Sequence, residues 1–88
     1  MFKVYIGSNN KTHQVEERKL KKVLNEYFEG YTILKAIGYW KGQKEESRII
    51  EIETRKKAKI LTAIKELKEV LQQEEIGLVE IKEALQFI

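Results

Sequence analysis

The sequence predicts an α+β sandwich: a four-stranded antiparallel sheet in spatial order 4-1-3-2 with two helices on one face. Three observations predict it. Segments with period-2 apolar alternation and segments with helical apolar spacing succeed one another in the order βαββαβ. The chain has 88 residues, too few for two cores, and no proline, repeat or Ser-rich linker divides it, so 1–88 is read as one domain. Finally, two helices in this ferredoxin-like plan cover one sheet face only, which leaves strands one and three central and the second face open.

Each element has its own signal. Phe2, Val4 and Ile6 alternate with Lys3, Tyr5 and Gly7, the pattern of a strand with one buried face. Gly7 to Thr12 is a polar turn cluster. From about Val15 the period changes, and Leu20, Val23, Leu24, Tyr27 and Phe28 form one helical stripe, with Gly30 as its C-terminal cap. Tyr31 to Lys41, rich in β-branched and aromatic residues, is the second strand. Residues 42–46 read as a hairpin loop. Arg48 to Arg55 is a third strand, antiparallel to the second, with Ile50 and Ile52 inward. Lys56 to Gln73 returns to helical spacing through Ile60, Leu61, Ala63, Ile64, Leu67, Val70 and Leu71. Val79 and Ile81 alternate with Glu80 and Lys82 in a last strand, and Leu85, Phe87 and Ile88 form an apolar tail.

Composition narrows the chemistry. There is no Cys, which removes thiolate nucleophiles and Cys-ligated metal, and all 14 acids are Glu. A lone imidazole, His13, makes neither a metal site nor a convincing partner for Ser8. The glutamate pairs 16/17, 45/46 and 74/75 read as solvated surface. The chain is therefore read as non-catalytic, with no cofactor and no metal. No run approaches the roughly 20 apolar residues of a membrane span, and Met1 leads straight into a strand pattern, so the expected compartment is the cytoplasm. A chain this small buries little surface by itself, which points to a homo-oligomer.

The net charge of +3 is unevenly spread: residues 31–60 carry eight Lys/Arg against four Glu, and residues 61–88 carry three against six. A basic middle suits an anionic ligand. Within it, Tyr39-Trp40-Lys41-Gly42-Gln43-Lys44 offers aromatic planes beside cations, and alternation sends Tyr39 and Trp40 to opposite faces. The candidate ligand-binding set is Trp40 or Tyr39 stacking a base, with Arg48, Lys41, Lys44 and the Ser8-Asn9-Asn10-Lys11 loop on phosphate or ribose and Tyr5 on the open face. Trp40 serves equally well at a subunit interface. Arg55-Lys56-Lys57-Ala58-Lys59 places cations at the positive end of a helix, which either Glu51 and Glu53 or an anion must neutralise. RNA binding on the sheet is disfavoured, because Glu51 and Glu53 flank the strand that would carry it and no RNP pattern is present; the basic rim is its residual form.

Lys3-Val4-Tyr5-Ile6-Gly7, Phe28-Glu29-Gly30-Tyr31-Thr32, Gly38-Tyr39-Trp40 and Glu46-Ser47-Arg48-Ile49-Ile50 together resemble a family of small bacterial and phage proteins catalogued as a domain of unknown function. That family has no assigned reaction, so the resemblance implies the fold and leaves activity open. By analogy with viral sponges, the leading expectation is an oligomer that sequesters a small anionic, nucleotide-derived immune signal in the host cytoplasm. The alternative is a protein-interaction module that uses the open sheet face and the apolar tail.

Overall fold

The computed structural model describes residues 1–9, 11–83 and 85–88. Six elements run β1 (Phe2–Ile6), α1 (Glu17–Tyr27), β2 (Thr32–Trp40), β3 (Gln43–Ile52), α2 (Lys57–Val70) and β4 (Gly77–Glu80). The sheet order is β2-β3-β1-β4 and every pairing is antiparallel, which is the expected order with β1 and β3 central.

The core lies between the sheet and the helices. Phe2, Val4 and Ile6 of β1 and Ile50 and Ile52 of β3 meet Leu20, Val23 and Leu24 of α1 and Ile60, Ala63 and Leu67 of α2, all buried. Burial of these side chains is the main favourable term for so small a chain, at about 25 cal/mol per Å² of apolar surface removed from water. Leu61, expected on the buried stripe, is half exposed on the solvent side of α2.

The last strand spans Gly77–Glu80, earlier than the expected Val79 to Lys82, and three further boundaries that differ from the sequence reading bear on the fold. The first helix ends at Phe28, which is already extended (φ −133°, ψ 138°), so Gly30 caps nothing. Phe28 turns back into the core instead, and packing decides where the helix stops. The second helix ends at Val70, and Gln72 (φ 53°) takes the left-handed position of a Schellman turn. Gln73 N–H donates to Lys68 C=O at 2.9 Å and Gln72 N–H to Glu69 C=O at 3.3 Å.

The third difference shapes the molecule. The hairpin loop is two residues, Lys41 (φ 49°) and Gly42 (φ 77°), and not the expected 42–46. Both residues have the positive φ of a type I′ turn, whose twist matches the strands it joins. Gln43 to Ser47 therefore belong to β3, with Trp40 opposite Gln43 and Ala36 opposite Ser47. Pairing of β3 with β1 stops at Ile6 opposite Arg48. The outer half of the β2–β3 hairpin thus runs on beyond β1 as a two-stranded arm, and the molecule measures 38 × 23 × 19 Å.

Candidate functional site

The arm separates residues that the sequence groups together. Register places Trp40, Gln43, Glu45 and Tyr5 on the open face, and Tyr39, Lys44 and Arg48 on the helix side. Trp40 and Tyr39 do lie on opposite faces, 66% and 71% exposed. Tyr5 sits at mid-sheet, where Gly77 of β4 passes beneath it: a Cβ at Gly77 would lie 3.2 Å from that of Tyr5. A side chain at Gly77 would require Tyr5 to give way by a few tenths of an ångström.

Arg48 and Asn9, both expected on the ligand, are turned inward. Arg48 is 6% exposed, and its guanidinium donates to Glu17 Oε2 (3.1 Å), Glu46 Oε1 (2.9 Å) and the Ser47 carbonyl (2.9 Å). The bond to Glu17 joins α1 to β3, and those to Glu46 and Ser47 hold the guanidinium along its own strand. Lys21, and after it Arg48, hold the Glu17 carboxyl below its ordinary value by hydrogen bonding to the charged form.

Asn9 does for the loop what Arg48 does for the helix. Its Oδ1 accepts from Lys11 N–H (2.8 Å) and Thr12 N–H (3.3 Å), and its Nδ2 donates to Glu16 Oε1 (3.3 Å). The amides of Asn9, Lys11, Thr12 and His13 are therefore already bonded within the loop. The helix itself begins only at Glu17. Asn10 lies outside the described residues. His13 is exposed, away from Ser8's cleft, in left-handed backbone at φ 58°.

What the structure does bring together is Trp40 and Ser8. They share a cleft of about 300 Å³ with Gly7, Glu45 and the turn 72–75. The Schellman turn directs the chain from α2 back toward the end of β1, where Gln73 Nε2 donates to the Gly7 carbonyl and pins it. Glu45 enters from the arm and Glu74 and Glu75 from the turn. Among the described residues, no Lys or Arg lines the cleft. The ammonium of Lys41, expected to hold phosphate, instead lies 6.0 Å from the centroid of the Trp40 ring, in the range of a cation–π contact. The cleft that Trp40 lines thus draws its charged side chains from Glu45, Glu74 and Glu75, with the Lys41 ammonium near the indole.

Glu45, Gln72, Gln73, Glu74 and Glu75 are the residues sequence reasoning missed. Adjacent glutamates on a chain carry no sign of convergence, because one pair lies beside the hairpin and the other 28 or more residues later. The one available signal was the acidic balance of residues 61–88 against the basic middle.

A second, larger cavity opens at the other end of β1, lined by residues around Tyr27, Phe28 and Tyr31 and by the start of α2. Glu66 beside the Tyr27 hydroxyl raises that phenol above its ordinary value. Among the described residues, no group of three His, Cys, Asp or Glu is placed to hold a metal ion, and no helix is long and apolar enough to cross a membrane.

Fold and site together define a small α+β protein with an open sheet face, a projecting arm and an acidic aromatic cleft. The same fold occurs in a phage SAM lyase in its apo state, at 20% identity over 88% of this chain and 74% of that one, with a TM-score of 0.66. It occurs in the periplasmic divalent cation tolerance protein CutA of Archaeoglobus fulgidus, at 21% identity over 98% and 89% of the chains and TM-score 0.57. It also occurs in a DUF3240 family protein of Shewanella baltica, at 17% identity over 99% and 94% and TM-score 0.59. No family model and no curated protein matches the chain. At these identities the likeness is one of fold.

Proposed function

We propose that this protein binds a small nucleoside-derived cation in the Trp40 cleft, and that an S-adenosylmethionine-type sulfonium is the class of ligand. The observation that carries this reading is the cleft lining, an exposed indole that shares the cleft with Glu45, Glu74 and Glu75, with the Lys41 ammonium near the indole as the one cation a ligand would displace among the described residues. An indole stacks a purine, and both its face and the carboxylates attract a positive centre. The likeness to a phage SAM lyase supports the choice among organic cations. The nucleotide-derived ligand expected from the sequence is retained, with the sign of its charge reversed.

Retention without turnover is the first reading of what happens to the ligand, because no nucleophile and base are paired in the cleft: Ser8 stands there without an imidazole. Sequestration of an immune signal by a phage protein is one instance of retention, but an anionic signal would need a surface other than this cleft. Breakage of the ligand is a second reading, favoured by the likeness to the lyase. In such a sulfonium the ligand's own carboxylate can attack Cγ as the Cγ–S bond breaks, giving a lactone and a neutral thioether, so cleavage depends on positioning more than on a nucleophilic side chain.

The protein works as a homo-oligomer in this reading. The arm presents Ile37 and Tyr39 on one face, while the open sheet face presents Tyr5, Leu34 and Val79, all large and exposed. Apolar patches of this kind mark interaction surfaces, and a two-stranded arm is only marginally stable without a neighbour.

Native mass spectrometry with S-adenosylmethionine, its neutral thioether S-adenosylhomocysteine and cyclic nucleotides reads ligand and assembly together. The sulfonium should be retained in preference to the thioether, and Glu74→Gln/Glu75→Gln should remove that preference. Retention of the anionic nucleotides alone overturns the cation reading, and appearance of a cleaved product selects breakage over retention.

A further inference from the structure

The cavity at the Met1 end of β1 has a volume of about 650 Å³, within the range of small-molecule sites. Tyr27, Phe28 and Tyr31, where α1 hands over to β2, make one wall aromatic. Leu85 and Phe87 of the tail, Glu51 and Glu53, and Lys56 and Lys59 near the start of α2 also line it.

The charges here do not cancel as the sequence allowed. Of the two ways to neutralise the basic run 55–59, the first was Glu51 and Glu53, and the structure gives both to other cations. Glu51 Oε2 lies 3.5 Å from Lys3 Nζ, and Glu53 Oε1 lies 3.8 Å from the N-terminal ammonium. Glu53 Oε2 also accepts from Leu85 N–H at 2.9 Å. Lys57 turns away to Glu80 at 3.4 Å. Among the described residues, Lys56 and Lys59 have no carboxylate partner, and the first turn of α2 holds no acid. Glu29 is the remaining carboxylate among the described lining residues. The ammonium of Lys59 lies 5.7 Å from the centroid of the Phe28 ring, so a cation and an aromatic plane already face the same space.

We propose that this cavity binds a small molecule whose flat aromatic ring carries one anionic group, with the ring against Tyr27 and Tyr31 and the anion on Lys56 and Lys59. The site is separate from the Trp40 cleft and prefers the opposite charge. An aromatic carboxylate and a nucleoside monophosphate share this chemistry, and it is the second of the two neutralisations that the basic run required.

Isothermal titration of the full chain with 2-naphthoate, adenosine 5′-monophosphate and the uncharged 2-naphthalenemethanol tests it. At least one of the two anions should bind more tightly than the alcohol. Binding of naphthoate alone assigns the carboxylate class, and preference for the monophosphate assigns the nucleotide class. The double variant Lys56→Glu/Lys59→Glu should lose about tenfold or more in affinity, the expected scale for hydrogen bonds to a charged group. Both positions are exposed, so the variant keeps the core intact, and Lys56→Arg/Lys59→Arg should restore binding. Lys65→Glu, elsewhere on α2, and Trp40→Ala should leave it unchanged, so a failure here is distinct from a failure at the cleft. Absence of binding by both anions, equal binding of the alcohol, or indifference to the double charge reversal would overturn the proposal.

Discussion

Arg48 Nε donates to Glu17 Oε2 at 3.1 Å, so a buried guanidinium in the third strand fastens the first turn of the first helix. The same group holds Glu46, whose Oε1 also accepts from Val15 N–H at 3.4 Å. Strand, helix and the segment before the helix meet at one cation. Arg48→Met should lower stability in urea unfolding by about 1–3 kcal/mol, because two carboxylates lose their charged donor. Sulfonium affinity should be unchanged once the protein is folded; loss of affinity without loss of stability would return Arg48 to the ligand.

Glu17 makes the same relationship pH-dependent. Its folded pKa is depressed below the ordinary 4.5, by Lys21 first and Arg48 second. The folded state therefore binds fewer protons there than the unfolded state. The stabilisation is present above the unfolded value and is lost as pH falls through the lower folded one. Thermal melts of the wild type and Glu17→Gln should differ at pH 7 and converge below 4.5. A gap that persists or widens in acid would contradict the assignment.

Lys41 occupies a left-handed position next to Gly42, a place where asparagine is at less cost. Lys41→Asn should raise stability by about 0.5–1 kcal/mol in the same assay. It also removes the ammonium that rests on Trp40, so sulfonium affinity should rise. A stable variant with weaker sulfonium binding would show Lys41 to be a ligand contact.

Trp40→Ala separates the two roles open to the indole. The side chain is 66% exposed, so its removal should barely affect folding. Ligand retention should disappear and the assembly persist in native mass spectrometry. Dissociation of the assembly with retention intact would place Trp40 at an interface instead.

Gly77→Val tests the close approach of β4 to Tyr5. A Cβ there would lie 3.2 Å from Tyr5 Cβ, tighter than ordinary van der Waals contact, and the cost should be about 1–3 kcal/mol. Tyr5→Gly, which removes the Cβ that would be met, should recover most of it, a coupling that a double-mutant cycle reads directly.

Strand order, the two helices and the buried stripe were legible because burial imposes a period on sequence. Phe2, Val4, Ile6, Ile50 and Ile52 had to alternate to face one core, and Leu20, Val23 and Leu24 had to recur at helical spacing. The opposite faces of Tyr39 and Trp40 followed from the same rule. The end of the first helix did not, since Phe28 leaves helical geometry to reach the core while Gly30 merely looked like a cap.

By itself, then, the sequence determined the α+β class, the sheet order, the open face and the position of the aromatic hairpin, all consequences of local period. Only the tertiary structure decided what surrounds that hairpin. Arg48 and Trp40 are eight residues apart on one hairpin, yet the register sends one inward to Glu17 and the other outward to Glu74 and Glu75. Charge read along a chain adds up neighbours in sequence, whereas a ligand meets neighbours in space. The basic middle therefore holds an acidic cleft, because folding spends one arginine in the core and brings glutamates from the end of the chain to the tryptophan.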